Sequence, residues 1–286
     1  MKYISILVCT FWALSVSAQS NPEVYLGDFT LNEGGFSVTS LENISNNPGY
    51  DNQPSFIPGM PALLFSSQQG ESTDIKLFDY GQDNSIWITS SVGGKYSPTM
   101  MPGQDSFSAI WLKPDGEQLL WMFPLTEGEP EVIVPDEVIG YHAWYNEHTL
   151  YTFVLGEPFT FVEFDLKNDS RTILANNPGR SIHKVPDLNA VSFIDKNDST
   201  QWLVKTYNPD SKEIKTLTST PEGSEDMVWI DSSSFLIGQA NGLLMWKEGH
   251  GYTAQNPLFD SDGTISRIAL SPNRTKIAIV FAVSED

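Results

Sequence analysis

Two arginines, Arg180 and Arg267, and a tandem acid pair, Glu225 and Asp226, are the groups in this chain best suited to recognition chemistry. A guanidinium is a planar fork that holds a carboxylate or carbonyl with two hydrogen bonds. Asp51, Gln53, Tyr141, His142 and His183 add donors, acceptors and two imidazoles. Together the nine define either a pocket for a polar ligand or partner, or a set of polar groups that satisfy one another in a hydrated cavity. Catalysis is the other possibility. Asp51, Glu225 and Asp226 could act as acid and base on a glycosidic bond if two of them stood ~5–10 Å apart. With 36 acidic residues in the chain, such pairs also arise by chance. No catalytic residue is assigned, since no G-x-S-x-G elbow is present and Cys9 is the one cysteine.

These residues lie far apart in the sequence, and only a repeating fold gathers them. Six hairpin-like segments recur: FIPGMPALLF from Phe56, MMPGQDSFSAIW from Met100, WYNEHTLYTF from Trp144, HKVPDLNAVSF from His183, WIDSSSFLIG from Trp229 and LSPNRTKIAIV from Leu270. Their turns sit near Gly59, Gly103, Glu147, Asp187, Ser232 and Asn273, 40 to 45 residues apart. Apolar runs of strand length, rich in aromatics and β-branched residues, alternate with Gly, Pro, Asn and Asp, and no helical period is visible. This pattern predicts an all-β, six-bladed β-propeller with four strands per blade. The repeats fall at about 50–92, 95–136, 138–177, 180–220 and 224–260, with a half-repeat at 264–284.

The missing half lies at the other end. VYLGDFTL from Val24 and FSVTSLENIS from Phe36 read as the third and fourth strands of a blade, over about 23–46. They are expected to complete the C-terminal blade and close the ring, which removes an exposed edge. The first strand of each blade would line a central channel. Its beginnings hold YDNQ from Tyr50, Tyr96-Ser97, Gly140-Tyr141-His142, Arg180 to His183, Ser224 to Asp226, and Ser266-Arg267. Two of four histidines and two of four arginines therefore converge on one mouth. Strand alternation predicts that the adjacent Tyr141 and His142 do not both face it. The turn residues Pro58, Pro102, Asp187, Asp231 and Pro272 read as structural.

SPNRTKIAIV resembles the SPDGxxIAF signature of the TolB-type, WD40-like propeller repeats, with Asn273-Arg274 in place of Asp-Gly. MMPGQDSFSAI, FIPGMPALLF and HKVPDLNAVSF are looser versions, and NPGYDNQPSF from Asn47 is similar to the way such a blade opens. The resemblance spans nearly the whole chain beyond its leader. It implies a free-standing propeller of a kind that serves as a periplasmic interaction module, a substrate-gating domain or a scaffold.

Residues 1–18 read as a secretory signal, with Lys2, an apolar run from Ile4 to Val16 and a cleavage site after Ala18. Val8 before Cys9 argues against lipidation. A periplasmic or secreted location is expected, as a monomer without membrane insertion. The net charge of −20 disfavours nucleic acid, which calls for clustered Lys and Arg. No cofactor and no metal are expected. FDSDGT from Phe259 resembles half of a calcium loop but lacks the further ligands. The expected partner is a protein or a small polar ligand.

Overall fold

The computed structural model describes residues 21–254 and 257–283, so the signal-sequence expectation lies outside the described residues. Strands β1 (Glu23–Asn32) and β2 (Gly35–Asn43) open the chain. The first complete four-stranded unit is β3 (Asp51–Phe56), β4 (Ala62–Gln69), β5 (Ser72–Asp79) and β6 (Asn84–Trp87). The second is β7 (Gly94–Met100), β8 (Ser106–Leu112), β9 (Gln118–Pro124) and β10 (Glu131–Val134). The third is β11 (Ile139–Trp144), β12 (Thr149–Val154), β13 (Thr160–Asp165) and β14 (Ser170–Asn176). The fourth is β15 (Pro178–Lys184), β16 (Val191–Asp195), β17 (Leu203–Tyr207) and β18 (Ile214–Ser219). The fifth is β19 (Met227–Asp231), β20 (Ser234–Gln239), β21 (Gly242–Lys247) and β22 (Gly251–Ala254), followed by β23 (Gly263–Leu270) and β24 (Lys276–Val283).

Each unit is an antiparallel meander, and the molecule is a β-propeller. The innermost strands β3, β7, β11, β15, β19 and β23 each touch the next, and β23 touches β3, so they form a closed ring. The last unit has the order β2-β1-β24-β23. β1 pairs with β24 from Glu23 opposite Phe281 to Asp28 opposite Lys276, which joins the two ends of the chain as the repeat pattern predicts.

Burial explains why the second strands read as continuous apolar runs. Sheet faces pack against neighbouring sheets, so a central strand is covered on both sides. Residues 62–67 of β4 and all of β16 are buried, whereas the outermost β6 and β14 are largely exposed. The core consists of layers between units. Val24 and Leu26 pack with Phe56, Leu63, Phe65 and Val280, and Ile194 and Val204 pack with Met227, Trp229 and Phe235. The first two complete units are joined in addition by a parallel pair, Thr73 opposite Gly94.

Candidate functional site

The inner strands enclose a channel cavity of about 410 Å³. Its charged lining residues are Arg180, Lys184, Asp226 and Arg267, with His142 and His183 beside them. The concavity is therefore cationic in a chain of net charge −20. Arg180 enters from β15 and Arg267 from β23, while Asp226 immediately precedes β19.

Both arginines close on one carboxylate. Arg180 Nε donates to Asp226 Oδ1 at 3.1 Å and its Nη2 donates to Oδ2. Arg267 Nη1 donates to Asp226 Oδ1 at 2.6 Å and to the Ser266 carbonyl at 2.6 Å. Burial alone would weaken the charge on Arg180, but Asp226 and Glu225 outweigh it and hold the guanidinium more firmly protonated. Arg267 also lies over the Tyr141 ring, 5.2 Å from its centre. Among the described residues, Arg180 Nη1 and Arg267 Nε and Nη2 have no hydrogen-bond partner. The cluster is thus a fork with donors to spare, both guanidiniums sharing Asp226 and Arg180 also lying 3.4 Å from Glu225.

Three tyrosines complete the mouth. Tyr50 meets Tyr96 edge-on at 5.9 Å, and burial pushes its phenol up against the pull of Arg267 and Arg180. Tyr141 stands beside them on β11. The aromatic groups come from the first three complete units and the arginines from the fourth and last, so one side of the mouth is aromatic and the other charged.

Each histidine of the wall makes one side-chain hydrogen bond through Nε2, and His142 Nδ1 is buried without a partner among the described residues. His142 Nε2 lies 2.6 Å from Ser108 Oγ, which also accepts from Trp144 Nε1 at 2.9 Å and donates to the Thr99 carbonyl at 3.2 Å. This stitches the third unit to the second. Trp229 repeats the device on Ser192 at 2.8 Å. His183 Nε2 lies 2.8 Å from Ser181 Oγ. Burial drives both imidazoles down to about 4, with Arg267 adding to the effect at His183. The unfolded chain therefore binds more protons than the native one between about pH 6.5 and 4. Stability is complete above pH 6.5 and falls as the pH drops through that window. His142 accounts for about 2–3 kcal/mol of the loss by pH 4.5. Urea midpoints at pH 7.5 and 4.5 check this, and His142→Gln should reduce the difference by its own share, leaving that of His183. Equal slopes in both proteins would exclude the assignment.

Seven of the nine expected site residues line the cavity: Gln53, Tyr141, His142, Arg180, His183, Asp226 and Arg267. Asp51 and Glu225 do not. Asp51 is fully buried, bonded to Asn47 at 3.2 Å, and its carboxyl is raised by burial. A bulge follows it, with Gln53 at a φ of 58°, so the chain changes course before the channel wall. Gln53 Oε1 accepts from the Ser97 amide at 2.8 Å and ties the first complete unit to the second. Glu225 turns toward Gly179, accepting from the Arg180 amide at 3.1 Å, and lies 3.4 Å from Lys196 Nζ.

Tyr141 and His142 both border the cavity, but their side chains leave β11 on opposite sides: His142, like Trp144, bonds Ser108 of the second unit, while Tyr141 lies under Arg267 and against Phe153. Tyr50 and Tyr96, which the repeat register places at the mouth, stand beside Tyr141 but outside the cavity lining. Their signal was present, because tyrosine recurs at 50, 96 and 141 near the starts of three inner strands. Among the described residues, no three His, Cys, Asp or Glu side chains stand where they could share a metal ion.

No family model and no curated protein sequence matches the chain. Solved structures do. A TolB-designated protein of Agrobacterium tumefaciens superposes with a TM-score of 0.72 at 13% identity, covering 94% of this chain and 100% of its own. An oligogalacturonate lyase in complex with manganese gives 0.55 at 14% identity, covering 94% and 99%. A gluconolactonase of Xanthomonas campestris gives 0.66 at 8%, also covering 94% and 99%. The chain has the TolB-like propeller fold, as its repeat motifs implied. No helix among the described residues is long and apolar enough to cross a membrane.

Proposed function

We propose that the protein is an exported binding module that uses its central channel mouth to hold a protein partner or a small polar ligand. The observation that carries this reading is the fork of Arg180 and Arg267 pinned around Asp226 at the channel wall, with guanidinium donors left over. A fixed fork loses little freedom on binding, so its hydrogen bonds to an incoming carboxylate or carbonyl are not offset by ordering costs. The unfilled capacity of the mouth consists of donors, which favours an acceptor-rich, anionic group.

The alternative is a hydrolase or lyase acting on a carbohydrate or peptide. Two of the similar structures carry enzyme names. The carboxylates here argue the other way. Asp226 is held by two guanidiniums, Glu225 by Arg180 and Lys196, and Asp51 lies outside the cavity lining. A general base needs a lone pair free to take a proton from substrate.

Thermal-shift screening against carboxylates, sugars, amino acids and short peptides tests the reading. A ligand at a hundred times its Kd stabilises by about 2.7 kcal/mol. For a chain of this size that is a rise of roughly 5–10 °C. Arg180→Gln and Arg267→Gln should each abolish the shift. A hit that survives both substitutions places binding elsewhere.

A further inference from the structure

An apolar shelf leads away from the arginine fork across the top of the third complete unit. The Tyr141 ring under Arg267 meets Phe153 edge-on at 5.7 Å, and Phe153 meets Phe159 at 5.0 Å. Val138 and Leu155 flank this row, joined by a hydrogen bond from the Leu155 amide to the Val138 carbonyl at 2.8 Å. Val138, Leu155 and Phe159 are 45%, 39% and 44% exposed. Gly140 lets the row lie close to β11: a Cβ there would stand 3.0 Å from Leu155 Cδ1 and 3.1 Å from Phe153 Cδ1. Grouped exposed apolar side chains next to a polar concavity are a signature of an interaction site rather than of ordinary surface.

We propose that the mouth and shelf together bind the free C-terminus of an extended peptide whose last residues are apolar, a reading that rests on the channel mouth being a binding site. The terminal carboxylate meets the spare donors of Arg180 and Arg267, and the last side chains cover Tyr141, Phe153 and Phe159. Charge sets the direction. The shelf's loop carries Glu157, which is exposed and repels a carboxylate, while the opposite end presents Arg180, Arg267 and Lys196 around Asp226 and Glu225, with guanidinium donors left over. Openness selects a peptide over an alkyl carboxylate. The shelf covers only one side of its occupant. A peptide turns its polar backbone to water at little cost, but an alkyl chain would keep its far side unburied. Two or three extended residues span on the order of 7–10 Å, enough to pass from the fork onto the row of rings.

The test is fluorescence anisotropy with N-terminally labelled six-residue peptides. One ends in Gly-Val-Phe as the free acid, a second is its C-terminal amide, and a third ends in Gly-Ser-Gly as the free acid. The Gly-Val-Phe acid should bind, and its amide should bind at least about tenfold more weakly, the ordinary worth of a charge-assisted hydrogen bond. Phe159→Ser, a change at an exposed position, should weaken the Gly-Val-Phe acid about five- to tenfold and leave the Gly-Ser-Gly acid unchanged. Equal binding of acid and amide overturns the proposal. Acid-specific binding that depends on Arg267 but ignores Phe159→Ser removes the shelf and leaves the channel-mouth reading standing. If neither acid binds while small anions do shift the melting temperature through Arg267, the peptide is wrong and the mouth is right. If nothing binds, both fall.

Discussion

Lys95→Met should destabilise the protein by about 3–5 kcal/mol, the usual cost of stripping one partner from a buried ion pair. Lys95 on β7 is fully buried, and its Nζ lies 2.9 Å from Asp74 Oδ1 on β5, whose side chain is 3% exposed. The ammonium also donates to the Ser91 carbonyl and sits 5.4 Å from the centre of the Trp111 ring. Asp74 Oδ1 accepts from Thr89 Oγ1 at 2.8 Å and more distantly from the Ser91 amide at 3.4 Å. The pair therefore fastens the third strand of one unit to the first strand of the next, through the loop that connects them. Methionine fills much of the lysine stem's volume but leaves the Asp74 charge with neutral donors only. In denaturant unfolding the midpoint should drop sharply with an unchanged slope. The melting temperature should fall by about 10 °C or more. Asp74→Asn in the Lys95→Met background should recover most of the loss, because a neutral amide leaves no uncompensated charge. A single variant within about 0.5 kcal/mol of the parent would mean that water reaches this pair in solution.

The second large effect concerns closure. A chain beginning at Asn46 lacks β1 and β2 and should fail to fold cooperatively. Val24, Leu26, Phe29 and Phe36 are all buried, and their loss removes about 6–12 kcal/mol of apolar burial. That matches the entire net stability expected of a domain. It also leaves β24 as a bare central strand of five or more apolar residues, a template for aggregation. A synthetic peptide of residues 21–45 added in trans should restore near-ultraviolet circular dichroism, since β1 pairs with β24 by backbone bonds that need no covalent link. A truncated chain that melts like the parent, with or without the peptide, would show that the remaining strands close the ring unaided.

Much of this architecture was legible in the residues. The strand runs appear because a propeller buries both faces of its central strands, which forces apolar stretches such as ALLFSS and VSFI between turn-forming Pro, Gly, Asn and Asp. The half-repeats at the two ends pointed to the β1–β24 pairing for the same reason, since an incomplete unit leaves unpaired backbone groups. Arg180, Arg267 and Asp226 could be placed near one mouth because the repeat assigns them to the starts of equivalent strands.

Periodicity determines which residues occupy equivalent strand positions, so the propeller and the gathering of its polar residues follow from local pattern alone. Partnership does not, because it depends on side-chain direction at irregular places in the backbone. The bulge in β3 decided that Asp51 is buried beside Asn47, away from the cavity, and that Gln53 reaches Ser97. The place of β11 in the channel wall decided that Tyr141 and His142 both border the cavity from opposite sides of the strand. The sharing of one acid by two guanidiniums, and the Lys95–Asp74 weld between units, join residues from different repeats. Such pairings are set by distances across the ring, which only the closed tertiary structure brings to a few ångströms.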